Sequence, residues 1–160
     1  HNIEPLYDRK SRLLILGSFP SVKSREMRFF YGHPQNRFWR VIAALTDYPV
    51  PHTIEDKKKM LHENHIALWD TIASCEIEGS SDSSIKGVVP NNLNIILETA
   101  PIQAVYWNGS KSYELYHKYC EKQTGMPAFK LPSTSPANAA CSLDRLIKEW
   151  SVIMDRLREV

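Results

Sequence analysis

The sequence predicts an α/β fold, and more narrowly a three-layer α/β/α sandwich with a central four-stranded parallel sheet. Two observations support this prediction. Short continuous apolar runs, typical of strands that are buried on both faces, end at glycine, Asn-Gly, Pro-Ser or other polar signals. Between these runs lie longer stretches in which apolar residues recur at helical spacing. An alternation of this kind favours parallel strands that are connected by helices.

The first predicted strand, Leu13–Leu16, is wholly apolar and stops at Gly17. Three similar runs follow it: Ile66–Trp69, Ile102–Trp107 and Ala128–Leu131. The predicted helices cover Asn36–Leu45, Ile54–Asn64, Asn91–Glu98, Ser110–Lys122 and Ser142–Leu157. In such sheets ligands bind at the carboxyl ends of the strands. The loops that follow the four strands are therefore expected to converge on one site, whereas the polar stretch Glu78–Ser84 is expected to be a surface loop.

Composition limits the possible classes of protein. The 160 residues fit one domain, which we expect to span 1–160, and the net charge of +2 means that a polyanion would have to meet a local basic patch. The three cysteines are far apart and form no Cys-x-x-Cys pair, which argues against a disulfide framework, structural zinc or an iron–sulfur cluster. No apolar run approaches the roughly 20 residues of a membrane span, and no signal peptide is recognisable. We expect a cytoplasmic protein.

Three segments carry the polar groups that follow these strands. Residues 17–21 read GSFPS after the first strand, and residues 29–39 read FFYGHPQNRFW and lead into a helix. Residues 131–138 read LPSTSPAN after the last strand. This order resembles the uracil-DNA glycosylase superfamily, in which a Gly-x-x-Pro motif follows strand one and a Pro-Ser-rich loop enters the minor groove of DNA. The combination resembles its hypoxanthine-DNA glycosylase branch, with a detailed match over roughly a quarter of the chain.

One position departs from the family pattern. The third residue of the first motif, which is Asn or Asp in the mismatch-specific and classical uracil enzymes and positions the attacking water, is Phe19 here. A phenyl ring cannot orient water, so either the activity is lost or the role has moved. The resemblance to the hypoxanthine branch assigns that role to the Asn of the His-Pro-x-Asn segment, which is Asn36.

The resemblance also implies the remaining roles. Asn108 matches the position that reads the flipped base, and Tyr31 matches the aromatic position that stacks on it, with Phe30 as the alternative and Ser18 and Phe19 completing the base site. The expected partner is DNA that contains a damaged base, and the protein is expected to act as a monomer near the nucleoid. Neither a metal nor an organic cofactor is expected. Contacts to the DNA are expected from Ser21, His33, Ser133, Thr134, Ser135, Pro136, Ala137 and Asn138.

Purely structural interpretations compete with several of these roles. Asn36 is a favourable helix cap, Asn108-Gly109 is a good turn dipeptide, and the serines before Pro136 could simply begin the last helix. Phe38 and Trp39 are expected in the core rather than at the base. Basic residues in or near the predicted loops could bind the DNA backbone: Lys23, Arg25, Arg28, Arg37, Lys111 and Lys130.

The sequence thus predicts a monofunctional DNA glycosylase that flips a deaminated base and removes hypoxanthine from deoxyinosine. An alternative within the same class is a uracil or mismatch-specific glycosylase, which Phe19 disfavours. A non-catalytic protein that binds damaged DNA is the alternative from another class. An unrelated α/β hydrolase is a further one, although the sequence lacks a Gly-x-Ser-x-Gly elbow and a phosphate-binding glycine-rich loop.

Overall fold

Six strands and six helices make up the part of the chain that the structure describes. The structure is a computed structural model, and it describes residues 3–17, 22–76, 86–110, 113–114 and 128–158. The strands are β1 Leu13–Gly17, β2 Ile66–Asp70, β3 Ile72–Glu76, β4 Lys86–Pro90, β5 Ala104–Asn108 and β6 Ala128–Leu131. The helices are α1 Val22–Met27, α2 Phe38–Thr46, α3 Ile54–Glu63, α4 Asn94–Thr99, α5 Leu143–Trp150 and α6 Val152–Arg158.

Four of the strands form the main sheet in the order β2-β1-β5-β6, and all neighbouring pairs are parallel. Strands β1 and β2 are buried along their whole length, as their continuous apolar runs predict. The predicted four-stranded parallel sheet is therefore confirmed, with each strand in its predicted place. The sequence did not predict β3 and β4, which pair antiparallel in a separate two-stranded sheet.

The direction of the connections places helices on both faces of the main sheet. From β1 the chain moves to β2 on one side, whereas the later connections to β5 and β6 run towards the other side. Because crossovers between parallel strands are right-handed, the two directions put the connecting helices on opposite faces. The direction changes between β1 and β5, and a crevice at the carboxyl ends of two such strands is where ligands bind in open α/β sheets.

Some helix boundaries differ from the predicted ones. Helix α2 begins at Phe38, two residues later than predicted, and α4 covers Asn94–Thr99 rather than Asn91–Glu98. The predicted helix Ser142–Leu157 is interrupted by a turn at Ser151, which leaves α5 and α6. The predicted helix Ser110–Lys122 and the predicted loop Glu78–Ser84 lie largely or wholly outside the described residues. Within those residues no helix is long and apolar enough to cross a bilayer.

Aromatic side chains of α2 and α5 connect the core to the loops above the sheet. Phe38 is completely buried and Trp39 is 5% exposed, so both are core residues as predicted. Trp150 of α5 packs edge to face on Phe38, with ring centroids 5.9 Å apart. Its indole N–H donates to the carbonyl oxygen of Pro132 at 2.9 Å. The start of the 131–138 segment is thereby attached to the core.

Candidate active site

Three polar side chains from distant parts of the sequence meet above the carboxyl ends of β5 and β6. The Thr134 hydroxyl donates to Asn36 Oδ1 at 2.8 Å and accepts from Asn108 Nδ2 at 2.9 Å. The backbone N–H of Thr134 donates to Asn108 Oδ1 at 3.0 Å. Thr134 is completely buried, whereas Asn36 and Asn108 remain partly accessible to solvent. The two asparagines predicted to act on the base and the water therefore belong to one hydrogen-bonded network.

Asn36 also contacts its own helix. The backbone N–H of Phe38 donates to Asn36 Oδ1 at 2.9 Å, a local side-chain contact of the kind that satisfies a helix start. The carbonyl oxygen of the Asn36 side chain thus makes the helix-capping contact that is the structural alternative to a catalytic role. The amide nitrogen has no structural role of this kind, because it donates no hydrogen bond within the described residues. Any role of Asn36 towards a substrate must therefore use its N–H groups.

Arg37 holds the second polar loop in place. Its Nη2 donates to the carbonyl oxygens of Ser135 at 2.9 Å and Asn138 at 3.0 Å, and its Nη1 donates to that of Cys141. Its backbone N–H donates to the Thr134 carbonyl oxygen at 3.1 Å. The sequence suggests Arg37 as a residue that could bind the DNA backbone, but its guanidinium is directed into the protein. It joins the two motif segments to each other.

Replacing Arg37 by alanine is expected to lower the free energy of unfolding by about 2–3 kcal/mol, because three partly buried carbonyl groups lose a charged donor. Urea denaturation measures this change. Arg40→Ala is the matched control, since Arg40 is an exposed arginine in the first turn of α2, three residues further along the chain. Equal unfolding midpoints for the two variants would mean that the guanidinium contacts contribute no stability.

Tyr31 lies at the same edge of the sheet and is held from several sides. Its ring stacks on Phe38 with centroids 4.2 Å apart and planes inclined by 26°, and its carbonyl oxygen accepts from the Trp39 indole. Its backbone φ of 50° is in the left-handed region, which is strained for an aromatic residue. Such strain persists only where the surroundings over-determine it, so the orientation of this ring is fixed by the fold.

The Tyr31 hydroxyl points inward, although part of the side chain reaches solvent. Burial raises the pKa of the phenol above its ordinary value, the nearby Asp70 carboxyl raises it further, and a hydrogen bond with Asn108 opposes both. A methyl group at Gly17 would lie 2.9 Å from Asp70 Oδ1 and 3.6 Å from the Tyr31 hydroxyl. Only glycine at the end of β1 leaves room for these two groups.

Asp70 ends β2 beside Gly17 and is only 5% exposed. Burial raises the pKa of its carboxyl to about 7, because an ionised carboxylate is disfavoured away from water. The Asp70 main chain is fixed from the other side by Asn91, whose Nδ2 donates to the Asp70 carbonyl oxygen at 2.7 Å. A titratable group with a pKa near neutrality therefore lies at the edge of the candidate site.

The loop from Ser133 to Asn138 is folded tightly on itself. The hydroxyl oxygens of Ser133 and Ser135 accept from the backbone N–H groups of Ser135 and Ala137, at 3.1 and 3.2 Å. The Asn138 side chain donates to the Ser133 carbonyl oxygen. Ala137 is exposed, and an open groove of about 690 Å³ runs along the loop. Both serines keep a hydroxyl proton for an external acceptor.

Gly109 lets this loop approach β5. Its φ of 102° suits glycine, and a methyl group there would lie 3.2 Å from Ser133 Cβ. The predicted Asn108-Gly109 turn is therefore present, but it does not replace the role of Asn108 in the network. The serines before Pro136 do not begin the last helix, which starts only at Leu143 with Ser142 as its cap.

Several predicted site residues are not placed to make the contact that was predicted for them. Thr134 has its hydroxyl and N–H engaged by the two asparagines, so it offers no group to a phosphate. Phe30 is 3% exposed and packs on Phe29 in the core, which leaves Tyr31 as the accessible aromatic residue of the pair. His33 is exposed, and its Nδ1 accepts from the Gln35 N–H in a turn. Ser18, Phe19 and Ser21 lie outside the described residues.

Two residues of the site were missed by reasoning from the sequence. Asp70 directly follows the apolar run Ile66–Trp69, and a carboxylate at the end of a buried strand is a signal that could have identified it. Nothing in the sequence indicates that Arg37 connects the two motif segments. Its carbonyl partners lie 98 to 104 residues further along the chain and could not be identified from sequence spacing.

The topology and this site define an α/β protein with a network of amide side chains beside the switch point of a parallel sheet. A family model described as the uracil DNA glycosylase superfamily matches residues 4–153. The chain belongs to the uracil DNA glycosylase superfamily, and DNA glycosylase activity on damaged DNA is the function that this membership supports.

Individual relatives agree with this membership. A hypoxanthine DNA glycosylase of Methanosarcina acetivorans is 34% identical over 148 residues, which cover 91% of this chain and 92% of the relative. A protein of the same description from Methanosarcina barkeri is 34% identical over 112 residues, 69% of this chain and 71% of its own. A solution NMR structure of a Methanosarcina acetivorans protein, described as a candidate uracil DNA glycosylase, superposes with a TM-score of 0.84 at 32% identity. It covers 98% of this chain and 97% of its own.

Proposed function

We propose that the protein is a monofunctional hypoxanthine-DNA glycosylase of base excision repair, which extrudes deoxyinosine from DNA and hydrolyses its N-glycosidic bond. The observation that carries this proposal is the network through Thr134, which brings Asn36 and Asn108 together at the switch point of the sheet. The description of the two Methanosarcina relatives as hypoxanthine DNA glycosylases supports the choice of base.

Recognition of the base is assigned to Asn108 and Tyr31. Asn108 Oδ1 accepts one hydrogen bond, from the Thr134 N–H, and keeps a second lone pair. Hypoxanthine carries an N–H at ring position 1, where adenine has an acceptor, so this lone pair favours the deaminated base. Tyr31 supplies a fixed aromatic ring, on which stacking contributes roughly 1–3 kcal/mol per base. This contribution offsets part of the unstacking that extrusion requires.

The chemistry requires one water molecule and a stabilised leaving group. As the bond between C1′ and the base nitrogen breaks, its electron pair goes to the base and the sugar becomes oxocarbenium-like. The water oxygen then bonds to C1′ and releases a proton, and protonation of the departing base completes the balance to free hypoxanthine and an abasic site. Such a cationic centre needs a positioned water more than a strong base. Asn36 is proposed to hold that water.

Contacts to the DNA backbone are assigned to the loop beside this site. Ser133 and Ser135 each keep a hydroxyl proton to donate to a phosphate flanking the lesion. The exposed Ala137 lies next to them and is the candidate for the gap that the base leaves. We propose that the protein acts as a monomer, with the DNA of the nucleoid as its substrate.

The test is an incision assay with the purified full chain and end-labelled oligonucleotides that contain one deoxyinosine, uracil, xanthine or thymine mismatch. Chelator is present throughout, abasic sites are cleaved with alkali, and released base is identified chromatographically. We expect alkali-dependent cleavage at deoxyinosine and release of free hypoxanthine.

Free deoxyinosine nucleoside is the control. It should remain intact, because it has no phosphates for the Ser133–Asn138 loop to bind. Cleavage at uracil or the mismatch alone would replace the proposal by the uracil or mismatch-specific alternative. Binding of the lesion DNA without release of any base would indicate a damage-binding protein. Turnover of the free nucleoside would indicate a small-molecule hydrolase.

A further inference from the structure

The directions of the hydrogen bonds in the central network are fixed by two backbone donors. The N–H of Thr134 faces one atom of the Asn108 amide at 3.0 Å, and the N–H of Phe38 faces one atom of the Asn36 amide at 2.9 Å. A backbone N–H can only donate. Both of the facing atoms must therefore be amide oxygens, and neither side chain can turn its amide around without placing two donors against each other.

With Asn108 fixed in this way, the Thr134 hydroxyl has no freedom either. Asn108 Nδ2 lies 2.9 Å from Thr134 Oγ1 and must donate to it. The single proton of the hydroxyl is then directed to the acceptor on the other side, Asn36 Oδ1, at 2.8 Å. The complete burial of Thr134 prevents water from competing for these bonds.

Asn36 Oδ1 consequently receives two hydrogen bonds, which occupy both of its lone pairs. The hydrogen-bonding groups that Asn36 retains are the N–H donors of its amide nitrogen. An acceptor would pull a proton from the attacking water, whereas a donor holds the water by its oxygen and leaves its second lone pair free. The network thus determines which of these two roles is open to Asn36.

We propose that Thr134 is a positioning residue for the glycosylase reaction: together with the Phe38 N–H, its hydroxyl donates to Asn36 Oδ1 and holds the Asn36 amide so that an N–H, and not the carbonyl oxygen, is offered to the water. This inference rests on the proposed function, since it describes how Asn36 performs that reaction. It assigns to Thr134 a role inside the protein instead of the contact to a phosphate that the sequence predicts.

The experiment compares Thr134→Val, which keeps the shape of the side chain but has no hydroxyl, with Thr134→Ser, which keeps the hydroxyl. Single-turnover cleavage of a deoxyinosine oligonucleotide is expected to slow about tenfold in the valine variant, because one of the two hydrogen bonds that hold the Asn36 amide in this orientation is lost. The serine variant should recover most of the rate. Thr46→Val is the matched control, since its hydroxyl bonds only within α2.

Affinity separates this role from the alternatives. For each DNA, lesion-containing or undamaged, the dissociation constant of Thr134→Val should equal that of the wild type. A loss of lesion affinity with an unchanged cleavage rate would place the effect at Asn108 and overturn the proposal. Equal cleavage rates for the valine variant and the wild type would also overturn it.

A second variant, Asn36→Asp, tests the donor directly and does not remove the Thr134 hydroxyl. Its carboxylate keeps an oxygen for Phe38 and Thr134 and places a second acceptor where the amide nitrogen was. We expect a loss of at least about tenfold in the single-turnover rate. Wild-type or higher activity in this variant would show that Asn36 acts as an acceptor. A wild-type protein that cleaves no deoxyinosine would instead refute the proposed function, and this inference with it.

Discussion

Replacing Asn36 by alanine is expected to slow the release of hypoxanthine roughly 100- to 1,000-fold, the loss that accompanies removal of one preorganised donor from an active site. The reason is that the amide N–H groups of Asn36 are the only part of this side chain not used by the fold. Single-turnover incision of a deoxyinosine oligonucleotide measures the effect. Binding of the same oligonucleotide should change less than cleavage, because Tyr31 keeps its stacking on Phe38 and the Arg37 guanidinium still holds the loop at Ser135 and Asn138.

Asn64→Ala is the matched control for this substitution. Asn64 ends α3, where its side chain donates to the Met60 carbonyl oxygen, and it lies just before β2 at the amino end of the sheet. Both alanine variants lose a local side-chain contact, which costs about 1 kcal/mol of stability. Asn36→Ala also removes the acceptor of the buried Thr134 hydroxyl, so it should lose about 1–3 kcal/mol more. If the two variants cleave deoxyinosine equally fast, Asn36 has only the structural role.

The second large effect concerns Asp70 and the dependence of stability on pH. Burial raises the pKa of this carboxyl from 3.8 to about 7. Between these pH values the folded protein retains a proton that the unfolded chain has released, so stability falls as the pH rises through this window. The shift corresponds to a loss on the order of 4 kcal/mol once the pH exceeds 7. Asp70→Asn removes the titration, and its free energy of unfolding should lack this fall.

Urea denaturation at pH 5 and pH 8 measures the difference. The free energy of unfolding of Asp70→Asn, relative to that of the wild type, should rise between pH 5 and pH 8. The variant should be the more stable protein at pH 8. Asp155→Asn, at an exposed position of α6, should follow the wild type at both. A constant difference between Asp70→Asn and the wild type over this range would show that the carboxyl does not titrate there.

The four strands of the main sheet could be predicted from the sequence because burial on both faces requires continuous apolar runs. Strand β3 could not, since only Thr71 separates it from β2 and its sequence, IASCE, is neither a continuous apolar run nor a regular alternation of apolar and polar residues. The apolar periodicity of the last helix continues through Ser151, so the turn there is not visible in the pattern. The start of α2 was misplaced because Asn36 bonds to the first turn from outside the helix.

The site could be predicted in part for a related reason. Asn108 and Thr134 follow strands that parallel pairing brings together, so their proximity follows from the topology. The catalytic role of Asn36 could be predicted only from the family resemblance, because nothing in the neighbouring sequence distinguishes a helix-capping asparagine from a catalytic one. The buried state of Thr134 depends on side-chain contacts across 98 residues, and a hydroxyl in a Pro-Ser loop looks the same in sequence whether it faces DNA or the interior.

The attachment of Arg37 and Asn36 to the 134–141 segment also has a consequence for synthesis on the ribosome. The partners are separated by 98 to 104 residues, so these bonds close one of the longest loops in the chain. A nascent chain that has emerged as far as β5 carries Asn36 and Asn108 but has neither Thr134 to orient their amides nor carbonyls for the guanidinium. We therefore expect base removal to begin only after residues 134–141 have been made and docked, and an incomplete chain is not expected to produce abasic sites.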